Sequence, residues 1–501
     1  MTYSATTTVE LLRRTASSCP DHNAYVEGDQ RLTFAQWDRA SDGLATAWAE
    51  LGVAKGDVVA LILPSSIDYA ICYQAAMRLS AITTGLNPRL GPHEIGGILD
   101  RTNPRIVVID DAHRAIGDVP GALLRSALAP LYGKEPLLDQ PVLAASDPVA
   151  IVWTSGTTGE PKGAVFTHCQ LAAVSAGAGE MGHPFDRRLS ASPFAHVAYM
   201  VHVWEEIEKV ITTVIPPTPW KAAEAVGLME RERVTVGQGV PTQWRLMLDG
   251  PDFAAADLSS LRIAGTGAST VPPDLVREMQ DRLGCAVVIG YTSTEAAITA
   301  GSVPGDPPEL ISTTVGRARP TVELQVVDEA GRPVSPGDVG WVRCRSGAVM
   351  QEYWHDPTTT ASVLGSDGWL AIGDLGRLDE RGYLTLLGRG SEMYIRGGYN
   401  VYPAEVERRL ARHPAVRQVA VVGKPDPVLG EIGVAFVVPG TDEPVPGLPD
   451  LRSWCRAALA DYKAPDRLVL VDTLPLTSMS KVDKRALAAR AADLTDERQG
   501  A

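Results

Sequence analysis

The chain has 501 residues, 45% of them hydrophobic and 21% charged, which suits a large domain plus a smaller one and excludes wholesale disorder. Lys and Arg number 46 against 60 Asp and Glu, a formal net charge of −14. That balance argues against a nucleic-acid or acidic-membrane surface as the main partner, and an anionic ligand would have to be held locally by backbone amides and a few cationic side chains. Residues 1–10 are largely polar, with no basic segment followed by an apolar block, so no signal peptide is expected. The run 58–63 (VVALIL) reads as a buried strand, and 67–79 follows with helical spacing. Runs 104–110 (PRIVVID), 150–153 (AIVW), 285–289 (CAVVI) and 419–422 (VAVV) repeat the strand pattern. Apolar strands interleaved with helices imply parallel or mixed sheets covered by helices. Segment 189–204 is uncharged but too short and too polar to span a bilayer. Residues 322–345 alternate in the manner of antiparallel strands and carry Gly-Arg-Pro and Pro-Gly turn signals, so an all-β piece is expected there. A boundary follows near Arg389: 383–387 is strand-like, 388–398 is Gly-rich, and Pro403 opens a helix over 404–411, where a proline costs nothing. The mixed-charge tail 487–501 reads as a solvated helix end.

These patterns predict an α/β protein in two domains. Residues 1–388 form a large N-terminal domain of mixed or parallel sheets with helices and a β-rich subdomain. Residues 389–392 form a hinge, and 393–501 a small, mobile C-terminal α+β domain. The six cysteines are scattered with no CxxC, so a disulfide framework or zinc cluster is not expected and a reducing, cytoplasmic setting fits.

The strongest chemical signal is 154–163, TSGTTGEPKG, after a buried strand. Glycines let consecutive N–H groups curl toward one anion, small hydroxyls add donors, and Lys162 supplies a compact positive charge suited to a triphosphate. It is not a Walker loop, since no G-x-x-x-x-G-K-[ST] occurs. A polar surface loop is the plain alternative, and the length of the stretch weighs against it.

TSGTTGEPKG resembles the phosphate loop of the acyl-adenylate-forming family: acyl- and aryl-CoA synthetases, peptide-synthetase adenylation domains and luciferases. The resemblance recurs in order along most of the chain. It assigns ATP contacts to Thr154, Ser155, Gly156, Thr157, Thr158, Gly159 and Lys162. Gly267, Ala268, Ser269 and Thr270 stand where the family has its Gly-Gly-Ala-Pro stretch against adenine. Gly290 precedes Tyr291-Thr292-Ser293-Thr294-Glu295, similar to Tyr-Gly-x-Thr-Glu, which implies Tyr291 on adenine, Thr294 on phosphate or substrate carboxylate, and Glu295 with Thr154 at Mg²⁺. A carboxylate is a suitable hard ligand for that ion, although an isolated Thr-Glu is more often a helix start. Asp374, in WLAIGD, matches the aspartate that holds both ribose hydroxyls, as acceptor-only oxygens can. Arg389 matches the ribose arginine at the domain junction. Gly397 and Gly398 resemble the stretch lining the coenzyme A tunnel, and Lys481 the near-terminal lysine that bridges substrate carboxylate and α-phosphate. The chain departs from the pattern at Thr292 for glycine, at Ser391-Glu392 for the hinge Lys-Asp, and at Ser480 for the glycine before the lysine.

The implied chemistry is attack of a substrate carboxylate on the ATP α-phosphate, giving acyl-adenylate and pyrophosphate, then displacement of AMP by the thiol of coenzyme A. Charge stabilisation and positioning carry such a step without a protein nucleophile, with Lys162, Thr294, Glu295, His196 and Lys481 as the catalytic set. The acyl pocket is expected from 193–204, 238–243, 265–267 and 289–299, including His196, Val197, Trp204, Gly265, Gly267 and Ile298. These stretches hold no Lys, Arg or Asp, so an acid that is neutral apart from its reacting carboxylate is expected. His196 stands at the pocket edge, with a packed core histidine the bland alternative. The implied partners are a small carboxylic acid, ATP and coenzyme A, with no nucleic acid and no membrane span, and a homodimer is left open. Transfer to an amine or carrier-protein arm, a phosphotransferase releasing ADP, and a nucleotide binder without turnover are the rival readings.

Overall fold

The strand Val58–Ile62 is buried at every position. It lies between two parallel neighbours, Ile82–Gly85 and Ile106–Ile109, in a 7-stranded sheet, and strands covered on both faces read as unbroken apolar runs. Pro148–Thr154 joins this sheet in parallel, and Lys162–Thr167 extends it in antiparallel sense. A second, 9-stranded sheet carries the parallel set Thr212–Ile215, Arg187–Leu189, Val236–Gln238, Ile263–Gly267 and Ala286–Ser293. The helices Thr8–Ser18, Phe34–Glu50 and Ile67–Arg78 share one core with residues of both sheets, including Trp37, Trp48, Tyr25 and Phe166. Phe34–Glu50 begins where it does because Thr33 and Gln36 cap each other reciprocally, at 3.2 and 2.9 Å.

This computed structural model describes residues 6–116, 121–154, 161–190, 192–267, 271–397, 399–440, 447–477 and 481–494. No helix among them is long and apolar enough to cross a membrane.

The alternation at 322–345 resolves into Glu323–Val327 and Gly340–Arg345, paired antiparallel. With Leu370–Leu378 and Leu384–Arg389 they make a separate 4-stranded sheet. After Arg389 a single 3-10 turn, Gly390–Glu392, leads into another sheet, in which Val416–Asp426 and Gly430–Pro439 pair antiparallel. Side chains of successive residues point to opposite faces of that pair. Val421, Ala435 and Val437 pack with Val406 and Leu410 of the helix Pro403–Leu410. Ala420, Val422 and Phe436 pack with Leu487 and Ala491 of the helix Lys484–Ala492. The reading of 487–501 as a solvated helix end is therefore corrected: Leu487 and Ala491 are core residues, four apart on one helical face. The fold is the α/β arrangement expected, with a large N-terminal body and a smaller C-terminal unit.

Candidate active site

Tyr291 and Asp374 are brought together from two different sheets. Tyr291 lies on the strand Ala286–Ser293, one residue after Gly290, whose backbone pairs with Gly267. A Cβ on Gly267 would fall 2.5 Å from the Gly290 carbonyl oxygen, so only glycine permits this approach. The Tyr291 hydroxyl donates to Asp374 Oδ2. Asp374 pairs across its hairpin with Arg389, and Arg389 Nε stands 3.3 Å from Asp374 Oδ1. Both carboxylate oxygens thus have protein partners. Burial raises the Asp374 pKa, with the Arg389 charge opposing. Burial alone would lower the Arg389 pKa, but Asp374 and Glu295 outweigh it and hold it up.

Thr294 and Glu295 do not start a helix. They occupy the turn between Ala286–Ser293 and Ala297–Gly301, closed by Ala296 N–H donating to Ser293 Oγ at 3.1 Å and pinned by Met350 N–H on the Glu295 carbonyl at 2.7 Å. Glu295 Oε1 accepts from the Tyr353 hydroxyl at 2.8 Å, and Lys162 Nζ lies 5.5 Å from the centre of the same ring. Lys162 is the cross-strand partner of Thr154, so both stand where the phosphate-loop stretch leaves and re-enters the sheet. Tyr353 went unnoticed in the sequence, where a tyrosine before Trp354 carries no pattern.

Lys481 reaches this cleft from beyond the Gly390–Glu392 turn. Burial and the nearby charge of Arg389 lower its pKa. The positive charge of Lys481 in turn acts on His196, whose pKa is pushed down to about 4, chiefly by burial. His196 caps the turn Val197–Met200, its Nδ1 accepting from Ala198 N–H at 3.3 Å, so in the neutral ring the proton is on Nε2. The loop bearing Lys481 is closed by Thr477 N–H donating to the Lys481 carbonyl at 2.7 Å.

A cavity of about 100 Å³ adjoins the cleft, with Val197, Thr292, Ile298 and Met181 in its wall. Gly265 lies against Met181, and a Cβ there would meet Met181 Cε at 2.7 Å. Two expectations need correction. Trp204 is not in this wall: it shares a face of Val203–Glu208 with Glu208 and lines a surface groove with Arg13 and Arg14 of the first helix, because 100° per residue turns it away from His202 and Glu205, which do line the cavity. Nor is the wall free of cationic residues. Arg188, from the strand Arg187–Leu189 outside the stretches considered, lines it and is paired with Glu205 at 2.8 Å.

Gly397 has φ +57° and turns the hairpin between Tyr394–Arg396 and Tyr399–Val401, its N–H donating to the Leu429 carbonyl at 2.8 Å. Glu392 accepts from Lys484 Nζ at 2.9 Å. Ser155, Gly156, Thr157, Thr158, Gly159, Ala268, Ser269, Thr270, Gly398 and Ser480 lie outside the described residues.

Residues 12–354 match the model of the AMP-binding enzyme family, and 405–481 that of the AMP-binding enzyme C-terminal domain. The chain belongs to the AMP-binding enzyme family. The indoleacetate–CoA ligase of Aromatoleum aromaticum is 34% identical over 96% of this chain and 98% of its own. The long-chain-fatty-acid–CoA ligase FadD13 of Mycobacterium tuberculosis is 32% identical over 95% and 97%. The crystal structure of the anthranilate CoA ligase AuaEII with anthranoyl-AMP superposes with a TM-score of 0.89, at 25% identity over 97% of both chains. The chain is an AMP-forming acid–thiol ligase, with ATP and coenzyme A as substrates.

Proposed function

We propose that the enzyme activates a compact carboxylic acid, neutral apart from its reacting carboxylate, and that its C-terminal unit, 393–501, turns about 389–392 between adenylation and thiol transfer. The observation that carries this is the meeting of Lys481 with Arg389 and His196 in one electrostatic neighbourhood, although Lys481 lies beyond the hinge. In this reading the cations Lys162, Arg389 and Lys481 gather the anionic reactants, and Lys481 faces the oxygens that react. Tyr291, with Gly267 and Gly290, frames adenine, and Asp374 meets the ribose. Thr294 would bond phosphate or the substrate carboxylate. The hairpin at Gly397 would come to the cleft only after rotation, to line the path of coenzyme A.

The residues fit a magnesium ion. Glu295 has one oxygen engaged by Tyr353, leaving the other for a metal, and Thr154 ends its strand beside Lys162. Among the described residues no cluster of three or more His, Cys, Asp or Glu could hold an ion alone, which suits Mg²⁺, an ion that takes one or two protein ligands and completes its shell with phosphates and water. When bound, it would neutralise phosphate charge. A cytoplasmic setting belongs to the same reading, and sedimentation decides whether the chain is a monomer or a homodimer.

Substrate-dependent exchange of labelled pyrophosphate into ATP, over a panel of carboxylic acids, followed by thioester detection with coenzyme A, tests this function. Exchange without thioester would replace coenzyme A by another acceptor; no exchange with any acid would overturn the reading.

A further inference from the structure

We propose that the acyl cavity reads a hydroxyl group on the far part of the acid, with His202 Nε2 as the acceptor; this rests on the ligase reading above and names its substrate class. His202 precedes the helix Val203–Glu208 and lines the cavity together with Arg188 and Glu205. Its Nδ1 stands 3.1 Å from Glu205 Oε2. Glu205 is held by Arg188 Nη2 at 2.8 Å, and although burial opposes ionisation, the Arg188 charge and the His202 bond bring its pKa down to about 2. An ionised carboxylate can only accept, so Nδ1 carries the proton and the lone pair of the neutral ring is on Nε2. Arg188 stands between Glu205 and Glu206, 4.0 Å from Glu206 Oε1, and holds the Glu205 carboxylate in place behind the ring.

No described residue partners His202 Nε2, although the residue is only 9% exposed. The atom opens onto the cavity and has no protein donor, which leaves it for a ligand hydroxyl to satisfy. Thr292 and Gln238 also line the cavity, but a hydroxyl and an amide can each donate or accept and do not discriminate. His202 differs because its polarity is fixed from behind. The remaining wall is apolar, from Val197, Met181 and Ile298, so the preferred acid is a compact hydrophobic skeleton with one alcohol or phenol. A second carboxylate would face a lone pair and a paired arginine, and a ketone would bring acceptor against acceptor.

The test is pyrophosphate exchange with matched acids that differ only in carrying hydrogen, hydroxyl, ketone or carboxylate at the distal position. The wild-type kcat/KM for the best hydroxy acid should exceed that of its parent by about tenfold or more, the worth of one buried hydrogen bond. In His202→Leu that ratio should fall to near one. In Glu205→Gln the amide oxygen would face Arg188 and its NH₂ the ring, moving the proton to Nε2. The ketone-to-hydroxyl ratio should then rise about tenfold, a reversal that a merely structural role would not produce. The wild-type panel decides without any variant, should the substitutions prevent folding. Preference for the unsubstituted, keto or dicarboxylic acid overturns the proposal and leaves the ligase reading standing. Absence of exchange with every acid overturns both.

Discussion

Lys484 Nζ lies 2.9 Å from Glu392 Oε2 and 2.9 Å from Glu407 Oε1. The lysine opens the helix Lys484–Ala492, three residues after Lys481, while Glu392 ends the turn that follows Arg389. The position of Lys481 in the cleft is therefore tied to the turn about which its domain would move. Burial alone would lower the Lys484 pKa, but the two glutamates outweigh it and keep the side chain charged.

Replacing Lys484 by Met should release that tie. The adenylation half-reaction should slow by about tenfold or more, since the charged contacts to Glu392 and Glu407 are both lost, while thioester formation from supplied acyl-adenylate stays near wild type. Single-turnover measurements of each half on one preparation check this. Equal losses in both would mean that the pair only stabilises the C-terminal unit.

Lys481→Ala should abolish adenylate formation and spare the thiol step when acyl-adenylate is provided. In the proposed reading the domain's turn would carry the lysine away from Arg389 and His196, so the second step would not draw on it. A variant that loses both steps together would argue for one fixed arrangement.

Asp374→Ala should raise the ATP KM by about one to two decades, since a charged acceptor is worth on the order of 1.5–3 kcal/mol. A pH dependence follows from the raised Asp374 pKa. In the proposed reading the ionised form accepts from ribose, so as pH falls the carboxyl protonates earlier than an ordinary aspartate, and the ATP KM should climb at a higher pH than an unshifted aspartate would give. The effect should vanish in the alanine variant. A loss confined to the acid KM would move Asp374 to the acyl side.

Glu295→Gln should lower exchange strongly at all but high magnesium, because an amide is a poorer ligand of nearly equal size. Tyr353→Phe should have a milder effect, a shift of a few fold in the magnesium concentration for half-maximal exchange, from the loss of one hydrogen bond at 2.8 Å. Magnesium titrations of both variants measure this. If the Tyr353 variant loses stability and keeps its magnesium response, the hydroxyl only braces the hairpin.

Much of the fold is legible in the sequence because burial on both faces leaves an unbroken apolar run, as in Val58–Ile62, and burial on one face leaves alternation, as in Gly340–Arg345. The helix Lys484–Ala492 is misread because its buried face is only Leu487 and Ala491, set among alanines and arginines, which gives a weak apolar stripe. Motif residues such as Tyr291, Asp374 and Arg389 can be picked out singly, but their mutual bonds depend on two sheets meeting. Arg188 and Glu205 are illegible for the same reason: one is on a strand and the other on a helix, and neither sits in a recognisable run. Trp204 shows the limit of reading by stretches, since adjacent helical residues face different surroundings.

The close approach of Gly267 to Gly290 has a consequence for how such an enzyme can change. At Gly267 the floor of the proposed nucleotide cleft is bare main chain, and a side chain there could enter only by parting two strands. The proposed cavity for the acid is made largely of side chains, and its apolar ones, Val197, Met181 and Ile298, can each be exchanged singly. In the proposed reading, new acids could thus be adopted by piecemeal exchange at the far wall, while the grip on adenine would be inherited with the scaffold.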